Sequence, residues 1–140
     1  MKGERVAYPV VFTRALDGRI LINVPDMEIF TEGLDYADAV RMARDAIGMK
    51  GLVLEDEGKA VPEASDPAKI DPAESKFADE GKSIVALVDI DFTEFRRKND
   101  RKAVRKNVTI PAWLDFEARS ANLNLSRVLQ EAIKTRLGFE

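Results

Sequence analysis

Val104-Arg105-Lys106-Asn107-Val108-Thr109-Ile110-Pro111 is an alternating segment closed by a proline. In an extended chain Val104, Val108 and Ile110 share one side, and Arg105, Asn107 and Thr109 share the other. Pro111 ends the strand, because it has no N–H for a ladder, and it suits the first turn of a helix. Trp113, Leu114, Glu117, Ala118 and Ala121 then recur at three- and four-residue spacing, until Asn122-Leu123-Asn124 interrupts. Leu125, Val128, Leu129, Ala132, Ile133 and Leu137 form the clearest amphipathic stripe in the chain, and Gly138 is placed to cap it.

A strand and two short helices in roughly 40 residues cannot bury a core unaided, and a lone strand leaves its ladder groups unpaired. Both problems disappear if two chains pair their strands antiparallel about a two-fold axis and interlock their helices. Val108, Ile110, Leu125, Val128, Leu129, Ala132 and Ile133 are then the expected dimer core. Arg105, Asn107 and Thr109 of both chains would project from one face of a two-stranded ribbon, an element that fits the major groove of B-DNA. Arg can bond guanine bidentately, Asn can bond adenine, and Thr can bond bases or touch a thymine methyl. The backbone N–H groups around Asn124, Leu125 and Ser126 open a helix and suit a phosphate, with Lys102 as a further phosphate contact.

Composition bounds the rest. The chain has 140 residues, no Cys and no His. That removes disulfides, thiolate zinc sites, thiol nucleophiles and the commonest general base. No apolar run approaches the roughly 20 residues that span a bilayer. Met1-Lys2-Gly3-Glu4-Arg5 opens no signal-peptide pattern. The expectation is a soluble cytoplasmic protein without membrane partner or cofactor. The net charge of −3 conceals a segregation, with −9 over residues 1–95 and +6 over residues 96–140. A basic end suits nucleic acid, and an acidic body suits a basic partner.

Upstream, Tyr8-Pro9-Val10-Val11-Phe12-Thr13 is rich in β-formers, and Asp17-Gly18 signals a tight turn. Ile20, Ile22 and Val24 alternate with Arg19, Leu21 and Asn23 until Pro25-Asp26, and Glu28-Ile29-Phe30-Thr31 predicts a short third strand stopped by Gly33. Asp35 is a good N-cap for a helix carrying Tyr36, Ala39, Val40, Ala43 and Ile47 on one stripe and running to about Leu54. Gly48 and Gly51 weaken its second half by about 1 kcal/mol each relative to Ala. Residues 56–82 hold Pro62, Pro67 and Pro72 among Glu, Asp, Ala and Ser, and read as a loop or ordered excursion. Ile84-Val85-Ala86-Leu87-Val88 reads as a strand buried on both faces and central in its sheet. The order is β-β-β-α-β, an α+β arrangement.

The tail resembles the ribbon-helix-helix family of DNA-binding domains. The residues that carry the likeness are Arg105 to Pro111, Trp113-Leu114 and Asn124-Leu125-Ser126-Arg127. Lys106 departs from that family, standing where a hydrophobe is usual; a Lys stem can lie along apolar surface with its head in water. Tyr8-Pro9-Val10-Val11-Phe12, Asp17-Gly18, Val24-Pro25-Asp26, Thr31-Glu32-Gly33, the helix from Asp35 and Val85 to Asp91 resemble the HicB antitoxin domain. The resemblance implies a partial RNase H-like domain over residues 1–95, a basic linker over 96–102, and a ribbon-helix-helix domain (β-α-α) over 103–140. It further implies an antitoxin that neutralises a small basic HicA-type ribonuclease toxin, and that represses its own operon as a dimer or a higher even oligomer. Asp35, Asp38 and the acids of residues 55–80 are toxin-contact candidates by charge alone, and the sequence assigns no toxin-binding residue. An alternative is a ribbon-helix-helix repressor with a ligand-sensing front domain. A metal-dependent nuclease would need clustered carboxylates. Asp89 and Asp91 are two apart on a strand, but no acid at the centre of Val6 to Thr13 completes a cluster, so no catalytic or metal residues are expected.

Overall fold

Val6–Ala15, Ile20–Val24, Ile29–Gly33 and Gly81–Ile90 form strands β1 to β4 of one antiparallel sheet, in the spatial order β3-β2-β1-β4. They belong to a computed structural model describing residues 5–139. Asp17-Gly18 makes the β1–β2 turn, with Gly18 at φ +90°, a conformation that glycine reaches without steric cost. Helix α1, Tyr36–Asp56, lies on one sheet face. Tyr8, Val10 and Phe12 of β1, Ile20, Ile22 and Val24 of β2, and Ala39, Ala43 and Ile47 of α1 form the buried core between them. Of the α1 stripe expected from sequence, Ala39, Ala43 and Ile47 are buried and Val40 partly so, while Tyr36 at the helix start is exposed. Asp35 caps the helix by accepting a hydrogen bond from the Asp38 N–H at 2.8 Å.

Ile84 to Val88 does not lie at the centre of the sheet, as its composition suggested. β4 is an edge strand, paired along its length with β1 from Val6↔Ile90 to Ala15↔Gly81. The strand buried on both faces is β1: Tyr8, Val10 and Phe12 meet α1, while Val11 and Thr13 are buried on the reverse side. The hairpin puts β2 on one flank of β1 and β4 takes the other. No further strand among the described residues remains to flank β4, and Ile84 and Leu87 stay half exposed.

The reverse face of the sheet is covered by the stretch between α1 and β4. It is ordered, with three single turns of 3-10 helix, Pro67–Lys69, Pro72–Glu74 and Ala78–Glu80. The first two begin Asp-Pro, and the Asp66 and Asp71 side chains accept from the Ala68 and Ala73 N–H groups. The Tyr8 hydroxyl donates to the Pro62 carbonyl at 2.6 Å. Asp26 accepts from both the N–H and the hydroxyl of Ser65, at 2.8 and 2.6 Å. Asn23 donates to the Ser75 hydroxyl at 3.0 Å, and the Phe77 ring meets Phe30 edge-on. The sequence showed a region poor in apolar residues; polar tethers and capped turns hold it in place.

Arg96 to Asn99, expected to begin a linker, complete a helix α2, Phe92–Asn99, packed on α1. Asp91 caps it by accepting from the Glu94 N–H, and Arg96 bridges to Glu55 and Asp56 at the end of α1, each at 3.1 Å. Gly48 and Gly51 make room for this helix. A Cβ at Gly48 would lie 2.5 Å from the Phe95 ring, and one at Gly51 would strike the Phe92 ring. The chain divides into two compact units, one ending at Arg101 and one beginning at Lys102. The second holds α3, Ala112–Ser120, and α4, Leu125–Leu137. No described helix is long and apolar enough to cross a membrane.

Candidate nucleic-acid interface

The second unit has helices and turns but almost no interior. Among its described residues only Ala118 is buried. Its local structure is nevertheless well specified. Pro111 is the N-cap residue of α3, one position before the first turn where it was expected. Asn122 takes a left-handed conformation at φ 57°, reversing the chain between the helices. Asn124 caps α4 by accepting from the Arg127 N–H at 3.1 Å. Gly138 ends α4 at φ 82°, where the Phe139 N–H bonds the Lys134 carbonyl at 2.7 Å.

The expected dimer-core residues Val108, Ile110, Leu125, Val128, Leu129, Ala132 and Ile133 are all exposed in the single chain. Val108 is 65 % accessible and Ile133 49 %. Arg105, Asn107, Thr109 and Lys106 are exposed too, as are Lys102 and Ser126. The strand expected over Val104 to Ile110 is not formed in the single chain. A strand needs ladder partners, and this one has none within its own unit. Leu114, Phe116 and Leu137 lie outside the expected dimer core yet are equally open. Phe116 follows Trp113 by three residues, a spacing that puts both on one side of α3 and marks a second apolar stripe.

On the body, several of the acids weighed as contact or catalytic candidates have structural partners. Asp38 accepts from the Leu34 N–H at 2.9 Å and pairs with Arg41. That backbone bond first, and Arg41 second, hold its carboxyl below the usual range. Asp89 accepts from Arg44 at 3.0 Å and Arg5 at 3.2 Å, and the Arg44 hydrogen bond is the main cause of its lowered pKa. Asp91 lies beyond β4, buried at the start of α2. Asp89 and Asp91 therefore serve ion pairing and capping. No described group of three or more acids is placed to hold a metal ion.

The family profile described as HicB-like antitoxin of bacterial toxin-antitoxin system matches residues 8–133. The chain belongs to the HicB-like antitoxins. This family is non-enzymatic, and the match runs through both units. The fold of this antitoxin is similar to a chain of a toxin-antitoxin complex from Streptococcus pneumoniae, at 24 % identity and TM-score 0.60, covering 95 % of this chain and 99 % of that one. It is also similar to the antitoxin HicB of Burkholderia pseudomallei, at 22 % identity and TM-score 0.53, covering 95 % and 97 %. No curated protein matches it in sequence.

Proposed function

We propose that this antitoxin neutralises a small basic HicA-type toxin that cleaves mRNA, and that it represses its own operon by gripping operator DNA as a dimer. The body, with its charge of −9 over residues 1–95, meets the toxin; the toxin's opposite charge steers it there and raises the association rate. The second unit completes a ribbon-helix-helix with a second copy. Val104 to Ile110 pair with their counterparts, Val108, Ile110, Leu125, Val128, Leu129, Ala132 and Ile133 close the shared core, and Arg105, Asn107 and Thr109 enter the major groove. The N–H groups around Asn124, Leu125 and Ser126, with Lys102, hold phosphates.

The observation that carries this reading is the second unit itself. It has two helices and, among its described residues, a single buried one, so Leu125, Val128, Leu129, Ala132 and Ile133 stay exposed in the single chain. A monomeric fold of roughly 40 residues has no means of offsetting that exposure, whereas a two-fold pair does.

The test measures operator affinity and toxin capture on the same full-length variants. Arg105→Ala and Asn107→Ala each cost about 1–3 kcal/mol in binding to DNA upstream of the antitoxin's own gene, and each still co-purifies the small basic protein encoded beside it. Unchanged DNA affinity, or joint loss of both activities, overturns the assignment.

A further inference from the structure

Helix α2 is the last element of the body before the tail, and little holds it there. We infer that α2 is a latch: it leaves α1 while α1 and the sheet stay folded, and in leaving it lengthens the connection between body and tail. None of its eight residues, Phe92–Asn99, is buried. The core between α1 and the sheet contains no α2 residue; Phe92 and Phe95 are partly buried and pack against it from outside. Their rings sit in the notches at Gly51 and Gly48, and the Tyr8 ring meets Phe92 edge-on with centroids 6.3 Å apart. Arg96 pairs with Glu55 and Asp56, and Glu94 pairs with Arg5 at 3.7 Å. All of these charged groups are partly open to water, where ion pairs contribute little.

Two cavities border the helix. One of about 450 Å³ lies among Phe95, Lys98, Arg44 and Asp89. The other, of about 370 Å³, lies among Phe92, Val6, Val61 and Ala64. An element seated by two rings beside open space, with partly exposed ion pairs, belongs to the low-stability end of a fold and opens before the core does. Asp91, between β4 and α2, is the hinge. An isolated helix of this length does not hold in water, so release also unwinds it. The effect on reach rests on the ribbon reading above, in which pairing begins at Val104; the latch itself does not. With α2 seated, the connection to that segment is residues 100–103, at most about 14 Å of chain. Released, it is residues 92–103, at most roughly 40 Å.

The test is amide hydrogen exchange on the full-length wild-type chain in urea below its unfolding midpoint. The amides from Phe95 to Asn99 are expected to exchange together, at least about a hundredfold faster than those of Val10 to Phe12. Their dependence on urea should be shared and shallow, as a small exposed surface requires. Exchange with the rate and steep urea dependence of β1 means that α2 opens only with the whole body, and overturns the latch. Rates graded along the helix without urea dependence mark end fraying, and overturn it too. Gly48→Ala/Gly51→Ala fills both notches and is expected to abolish α2 protection while β1 keeps its own. Continued α2 protection overturns the seating; where the variant does not fold, the wild-type exchange decides. X-ray scattering on the same variant reads the reach. At unchanged mass the radius of gyration is expected to rise, and an unchanged radius with α2 released overturns the lengthening. A wild type that runs as one chain refutes the ribbon reading and leaves the latch to be judged by exchange.

Discussion

The Phe95 ring occupies the space that a side chain at Gly48 would take: a Cβ there would lie 2.5 Å from the ring. Gly48 and Gly51 thus pass Phe95 and Phe92 into α1 and seat α2. Ala is the better helix former by about 1 kcal/mol, so propensity predicts that Gly→Ala stabilises. Close packing predicts the reverse, because overpacking a rigid interior costs typically about 1–3 kcal/mol. Gly48→Ala and Gly51→Ala are each expected to lower unfolding stability by that order, measured by urea denaturation, whereas Ala at an exposed position such as Met49 is close to neutral.

Tyr8 reaches through the core to the excursion. Its hydroxyl donates to the Pro62 carbonyl at 2.6 Å, and burial above all, with Asp26 nearby, raises its pKa. Tyr8→Phe keeps the ring and strands the carbonyl, at a cost of about 1–3 kcal/mol. Hydrogen exchange is expected to quicken in the covering stretch around Ser65 and Ser75 while α1 stays protected. Uniform loosening of the whole body would contradict a local tether.

Asp38 and Asp89 titrate below the ordinary carboxylate value in the folded chain, through the Leu34 N–H and Arg41 for one and chiefly Arg44 for the other. Below a pH of about 4 the unfolded chain binds protons that the folded chain still refuses. The stabilisation these groups give is therefore present above the unfolded value and is lost as pH falls toward the folded one. The melting temperature is expected to drop over that acid window, and Asp89→Asn should flatten the drop while lowering the neutral-pH value slightly.

Asn124 supplies the only described side-chain cap of α4. Asn124→Ala is expected to cost about 0.5–2 kcal/mol, and Asn124→Gly a few tenths. The loss belongs to the second unit, so the thermal transition of the body should not move in calorimetry.

Much of this fold was legible from local pattern. The Asp17-Gly18 turn, the Asp35 cap, the α1 stripe from Ala39 to Ile47 and the Asn122-Leu123-Asn124 break each depend on a few neighbouring residues, and each stands where expected. The misses arose where distant segments meet. Ile84 to Val88 reads as central because composition reports what a strand tolerates, while the number of its neighbours depends on pairing order. Gly48 and Gly51 read as weak points because their partners, Phe95 and Phe92, lie some forty residues away. Residues 56–82 read only as a loop or an ordered excursion, because hydrogen bonds to Tyr8, Asn23 and Asp26 hold the stretch, not an apolar period. Of the candidate interface, the polar trio and the apolar stripe were visible in the sequence, while the ladder that would join two copies is absent from a single chain.

With a single buried residue among those described, the second unit, if it pairs as proposed, has a thermal behaviour set by dilution. A body with its own interior melts at a temperature that does not depend on how much protein is in the cell. A segment whose interior exists only between molecules loses stability each time the concentration is halved. Heated at decreasing concentrations, the chain should separate into a fixed transition and a sliding one, with the sliding one lost first.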